Sequence, residues 1–160
     1  MTDMPGWTGK LLRVDLTSAK STIEDIPRQW LEEYVGGRGL ADRYLYEEMD
    51  PNVDPLAPEN VLIFATGPLT GTPVPCGARY MVVTKGPLTG AITTSNSGGH
   101  WGPELKFAGY DLLLLVGRAA KPSYLFIYDD HIEIRDAAHV WGRGVFEMED
   151  ALREELGIPN

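Results

Sequence analysis

The residues best suited to chemistry in this 160-residue chain are a set of glycine turns and one arginine. Gly-Pro-Leu-Thr-Gly occurs at Gly67–Gly71 and again at Gly86–Gly90, each time after a short apolar run. Asn96-Ser97-Gly98-Gly99 follows and leads through His100 into a predicted helix. Glycine lets a ligand approach the main chain closely, and proline sets the entry to a turn. A helix start carries unpaired N–H donors that suit phosphate. Two strand ends and one helix start are therefore expected to gather backbone donors in one place, as an anion site. Arg79, beside Gly77 and Ala78 at the head of the second apolar run, can present its planar fork to a ligand on that face. Each feature also has an ordinary explanation. Ser97 can cap the helix, both pentapeptides can be plain β-turns, and Arg79 can pair with a surface carboxylate. Val35-Gly36-Gly37-Arg38-Gly39 can bind an anion, and reads more simply as a junction between two helices.

Other chemistries find little support. His100, His131 and His139 make no metal pattern, and no nucleophile has a paired base. The Glu32-Glu33 and Glu47-Glu48 pairs read as solvated helix faces. Cys76 is the only cysteine, so no disulfide forms within the chain and a reducing, cytoplasmic compartment fits. An iron–sulfur cluster takes about four cysteines and is not held here. The net charge of −9 disfavours nucleic acid and anionic lipid as partners. No apolar run reaches the roughly 20 residues of a membrane span, and Met1–Pro5 lacks the basic-then-apolar order of a secretion signal.

The elements that must position these residues follow from periodicity. Lys10–Leu16 and Ser21–Ile26 flank a turn and predict a hairpin. Trp30, Leu31, Tyr34 and Val35 recur at helical spacing and stop at Gly36-Gly37; a second helix is expected from about Gly39 to Met49. Asp50–Pro58 is a proline-rich loop. Val61–Thr66, Tyr80–Lys85 and Ala91–Ser95 predict strands, and Trp101–Ala108 a short helix with Pro103 in its first turn. Leu112–Leu115 predicts a strand buried on both faces. A hairpin turns at Asp129-Asp130. The last helix, Gly144–Leu156, is expected to turn Val145, Met148, Leu152 and Leu156 inward. The fold class is α+β, with mostly antiparallel sheet covered by a few helices.

Taken in order, several of these segments resemble one family. Gly6–Thr17, Gly37–Ala41, Ala65–Thr72, Gly77–Tyr80, Ser95–Gly99 and Glu104–Asp111 are similar to stretches of the N-terminal domain of the tungsten- or molybdenum-dependent aldehyde ferredoxin oxidoreductases. The resemblance implies two β-sheets related by a pseudo-twofold, forming a floor for a bis-pyranopterin tungsten or molybdenum cofactor. It implies oxidation of an aldehyde with water to a carboxylic acid, with electrons passed to ferredoxin through an iron–sulfur cluster. It assigns Arg79 to a bridge between pterin and cluster. It assigns Asn96, Ser97, Gly98 and Gly99 to the cofactor phosphates, with the Asn96 carbonyl as a ligand of their bridging magnesium.

The family's cluster cysteines and its second phosphate loop have no counterpart in these residues. The chain is therefore expected to be one N-terminal cofactor-binding domain, residues 1–160, whose partner is the rest of a longer parent polypeptide. Alone it is expected to have no aldehyde chemistry, no assignable catalytic residue, and an exposed floor through which it can self-associate. Two other readings stay open. One is a stand-alone module that binds pterin phosphate or docks a larger subunit. The other is a redox relative with a non-aldehyde substrate, such as an aromatic-ring reductase subunit.

Overall fold

A computed structural model describes residues 4–158. Met1–Asp3, part of the stretch read for a secretion signal, and Pro159-Asn160 at the end of the chain lie outside the described residues. The fold is α+β, as the periodicity predicts. Eight strands and four helices appear in the order β1 (Lys10–Asp15), β2 (Lys20–Asp25), α1 (Arg28–Tyr34), α2 (Gly37–Glu48), β3 (Leu62–Thr66), β4 (Tyr80–Lys85), β5 (Ile92–Ser97), α3 (Trp101–Phe107), β6 (Leu112–Val116), β7 (Ser123–Tyr128), β8 (His131–Asp136) and α4 (Val145–Leu156).

Six strands form one sheet in the order β2-β1-β6-β3-β4-β5, and β7-β8 form a separate antiparallel hairpin. Every pair in the large sheet is antiparallel except β1 with β6. Strand β6 lies inside the sheet, which explains its unbroken leucines. Leu112 and Leu114 join the core beneath α1 and α2, while Leu113 joins Leu12 and Val14 on the opposite face. Helix α2 buries Leu40, Ala41, Tyr44 and Leu45 against Ile63, Ala65 and Val83. Burying one such leucine stabilises the fold by roughly 1.5–3 kcal/mol. The other face is covered by Leu105 of α3 and by Leu125, Ile127, Ile132 and Ile134 of the hairpin.

Asp111, 1% exposed, joins four parts of the chain. Its carboxylate meets the ammonium of Lys106 on α3 at 2.5 Å and accepts the amide of Gly9 at 2.7 Å. Its main chain bonds Lys10 and Thr66, and so connects β1 with β3.

Arg13 ties the sheet to α2. Its guanidinium grips both carboxylate oxygens of Glu48 at 2.6 Å and reaches Glu24 on β2 at 2.6 Å. Glu48 is thus an ion-pair partner rather than part of a wholly solvated face, and it sits at a helix end where a carboxylate alone is unfavourable. The Arg13 hydrogen bond holds the Glu24 carboxyl below its ordinary value. A carboxyl whose folded value is depressed stabilises the fold above its unfolded value, near 4.3, and loses that contribution as pH falls through the folded value. Arg13→Leu is therefore expected to lower the urea midpoint at pH 7 and to lower it progressively less below about pH 4. Urea titrations of both proteins across that range check the crossover.

Two expectations about the elements change. Helix α2 starts at Gly37, earlier than its apolar spacing suggests, because glycine-rich residues carry no periodicity to read. Helix α4 buries no residue: Val145 is 70% exposed and Met148 37%. Of the four, only Leu152 and Leu156 line the cleft of about 430 Å³ beside the hairpin, together with Leu125 and Ile127.

Candidate functional site

Strand pairing decides which glycine turns can meet. Because β3 and β4 are antiparallel, Thr66 pairs with Tyr80 and Leu62 with Thr84. The first pentapeptide leaves β3 at one end of this pair, and the second leaves β4 at the other. The two therefore lie at opposite ends of the sheet, and the expectation that they gather donors in one place is overturned. Both still end on a left-handed glycine, with Gly71 and Gly90 at φ 76° and 68°, but they close differently: Thr70 donates its amide to Gly67 in the first, and Gly90 to Gly86 in the second. Copies on antiparallel neighbours are related by a local twofold.

Strand β5 returns to the first end, where Tyr80 pairs with Ser97 and Met81 with Asn96. Asn96 and Ser97 are thus strand residues, and the turn itself is only Gly98–His100. No side chain caps α3, so Ser97 is not its cap. Instead the first helical residue, Trp101, packs its ring tilted against Tyr80 and Phe64 at ring distances of 4.6 and 5.0 Å.

Alternation along the strands then sorts the predicted residues by face. Arg79, Met81 and Asn96 share the face toward α2. The Arg79 guanidinium donates to the Asn96 side-chain oxygen at 2.8 Å, and the Asn96 amide group donates to the Met81 sulfur. A Cβ added at Gly98 would lie 3.8 Å from the Arg79 Cδ and Nε, so bare main chain faces the guanidinium there. The Ser97 side chain points to the opposite face and is exposed. Gly99 follows at φ 84° with open space around it. The structure brings Arg79, Asn96 and Gly98 together, and leaves Ser97 and Gly99 at the rim.

Arg79 is delivered by a tightly closed loop. The buried Thr70 hydroxyl donates to the Arg79 carbonyl at 3.0 Å and accepts the Gly67 amide at 3.1 Å. Gly71 donates to Gly77 and Gly77 to Val74, both at 3.1 Å. A Cβ at Gly77 would stand 2.7 Å from the Leu69 carbonyl oxygen and 2.9 Å from that of Val74, so only glycine fits.

Arg79, Asn96, Thr70 and Gly77 line a pocket of about 400 Å³ together with Gly36, Gly37 and Cys76, and Gly98 lies beside the Arg79 guanidinium. The glycine-flanked segment read as a plain junction is therefore part of the site. Its sequence carried that signal, although the junction is the simpler reading there. No side chain caps α2, whose first residue, Gly37, lines this pocket, and its first turn holds no acidic residue. Among the described residues no Asp or Glu lines the pocket, although the chain is strongly acidic overall. The arrangement favours an anion with several acceptor oxygens. Such a group can take the Arg79 fork and approach bare main chain at Gly98. Among the described residues no three His, Cys, Asp or Glu side chains cluster to hold a metal. His131 and His139 are engaged with Glu133 and Glu155.

The family model described as "Aldehyde ferredoxin oxidoreductase, N-terminal domain" matches residues 11–160. The chain is 54% identical over 154 residues to the tungsten-containing aldehyde ferredoxin oxidoreductase of Pyrococcus furiosus, covering 96% of this chain and 26% of that protein. It is 41% identical to the aliphatic sulfonate oxidoreductase, WOR-like subunit, of the same organism, covering 96% and 25%. A solved structure of the active site complex BamBC of benzoyl coenzyme A reductase, in complex with 1,5-dienoyl-CoA, superposes with a TM-score of 0.94. The identity is 40%, covering 97% of this chain and 24% of that one. The chain thus spans about a quarter of the length of the relatives it matches.

Proposed function

The chain belongs to the aldehyde ferredoxin oxidoreductase family, as its N-terminal domain, and from that premise we propose that its pocket seats the phosphates of a tungsten-pterin cofactor in a longer parent enzyme. The observation that carries the reading is the meeting of Arg79 and Asn96 in a pocket without carboxylates, with the bare main chain of Gly98 beside the guanidinium. The group fits these residues. A planar guanidinium and bare main-chain amides suit phosphate oxygens. The Asn96 side chain is already engaged by Arg79 and Met81, which leaves its main chain on offer. Strand β5 is an edge strand, and alternate carbonyls of such a strand face outward, where a hard cation such as magnesium can be bound.

Held there by Arg79, Asn96 and Gly98, the cofactor would supply two-electron redox chemistry, the capacity needed for conversion of an aldehyde and water to a carboxylic acid with release of two protons. Arg79 neutralises phosphate charge and orients the group. Thr70 and Gly77 hold Arg79 in place. The glycines exclude side chains from the approach. In this reading the iron–sulfur cluster, the substrate channel and the surface that meets ferredoxin belong to the rest of the parent. The parent works in the cytoplasm, where exposed Cys76 stays reduced; among the described residues no helix is long and apolar enough to cross a membrane.

A second reading keeps the same pocket and changes the substrate. The superposition on a complex described as a benzoyl coenzyme A reductase favours it, because a domain that binds cofactor does not have to change with the substrate.

Anaerobic purification of the full-length parent tests both. The expected result is tungsten with two pterins per chain, and aldehyde-dependent reduction of ferredoxin. A folded parent that carries neither metal nor pterin overturns the pocket assignment. A loaded parent inert toward aldehydes selects the second reading.

A further inference from the structure

Val35, on the pocket wall, has φ 64° and ψ −42°. The Gly36 amide donates to the Tyr34 carbonyl at 2.6 Å, closing a γ-turn of the rare positive-φ hand. A β-branched residue is poorly suited to that region. Burial does not hold it there, since the Val35 side chain is 55% exposed. Such a conformation is strained and persists only where its surroundings over-determine it.

One such constraint is the Trp7 indole, whose Nε1–H donates to the Val35 carbonyl at 2.9 Å. Trp7 lies on a strap that is itself pinned. The Gly6 carbonyl accepts from the Lys106 ammonium at 2.6 Å. Gly6 presses so closely on Pro68 that an added Cβ would stand 2.6 Å from the Pro68 oxygen. Val35 and Pro68 both line the pocket, and the turn meets the loop directly: a Cβ added at Gly36 would stand 3.1 Å from the Gly67 Cα and 3.3 Å from the Pro68 Cδ. Two adjacent residues of the strap therefore hold the turn and the loop where they abut.

We infer that Trp7 is a positioning residue: its indole N–H clamps the strained Val35–Gly36 turn, and with Gly6 it fixes the seam where that turn abuts Gly67 and Pro68 in the lining of the pocket that seats the cofactor phosphates. The inference rests on the reading of that pocket as the metallopterin site. Trp7→Phe keeps the ring and removes the hydrogen bond. Val35→Gly removes the cause of the strain, because glycine enters positive φ without steric penalty.

Full-length parent enzymes carrying Trp7→Phe, Val35→Gly, both together, or Arg79→Ala are followed for tungsten and pterin content during timed dialysis. Trp7→Phe is expected to lose both about fivefold faster, the fold-change equivalent of one ordinary hydrogen bond. The double variant is expected to return to within about twofold of the parent rate, because a relaxed turn no longer depends on the clamp. A merely structural tryptophan would not be rescued in this way. Parent-like retention by Trp7→Phe beside a depleted Arg79→Ala overturns the clamp, as does an undiminished loss in the double variant. Full retention by Arg79→Ala overturns the pocket assignment itself. Val35→Gly alone keeps the inference testable should Trp7→Phe fail to fold. Its thermal midpoint is expected to hold or rise, and a fall overturns the argument from strain.

Discussion

Asp111→Asn is expected to lower the unfolding free energy by about 3–5 kcal/mol, the usual cost of breaking a buried ion pair from one side. The Lys106 ammonium, with an 8% exposed side chain, would keep its charge and lose its counter-charge. The main chain suffers as well, because the same carboxylate anchors the Gly9 amide at 2.7 Å. Domains of this size have about 5–15 kcal/mol in total, so the loss takes a large share of the margin. Lys106→Met on the Asp111→Asn background is expected to recover part of it, because the uncompensated charge is gone. Urea unfolding of the single and double variants checks the order. Equal midpoints for Asp111→Asn and the parent protein would show that the pair contributes nothing.

Arg79→Ala is expected to weaken retention of the metallopterin in the full-length parent roughly 30- to 100-fold. That corresponds to about 2–3 kcal/mol for hydrogen bonds to a charged group. The arginine is exposed and held mainly through Asn96 and its own main chain, so its removal leaves the core intact. Stability and loading should therefore separate, with an unchanged unfolding midpoint and a depleted tungsten and pterin content. Arg79→Lys is expected to fall between, since it keeps the charge and loses the paired donors. Parent-like loading of the alanine variant would remove Arg79 from the site.

Strands and helices with a clear apolar period are legible in the amino-acid sequence alone. The central burial of Leu112–Leu114 follows from an unbroken hydrophobic run, and the hairpin at Asp129-Asp130 from its turn residues. The meeting of Arg79 with Asn96 is expected only from the family resemblance, and geometry supplies its reason. One strand ends where its neighbour begins, and a two-residue alternation puts both side chains on one face. What stays hidden depends on direction and register. Nothing local in Gly-Pro-Leu-Thr-Gly says that its second copy leaves the sheet at the far end. Nothing in Val145 or Met148 shows that α4 lacks a buried face. The role of Gly36-Gly37 is ambiguous for a similar reason, because an interhelical turn and a ligand wall call for the same small residues.

The two copies of the pentapeptide carry one further consequence. Thr70 is buried and joined to Arg79, while Thr89, its counterpart, is exposed and bonds only its own turn. Each molecule thus holds an internal contrast: whatever position 89 accepts and position 70 refuses reports what burial and the hold on Arg79 add at the first of the two turns.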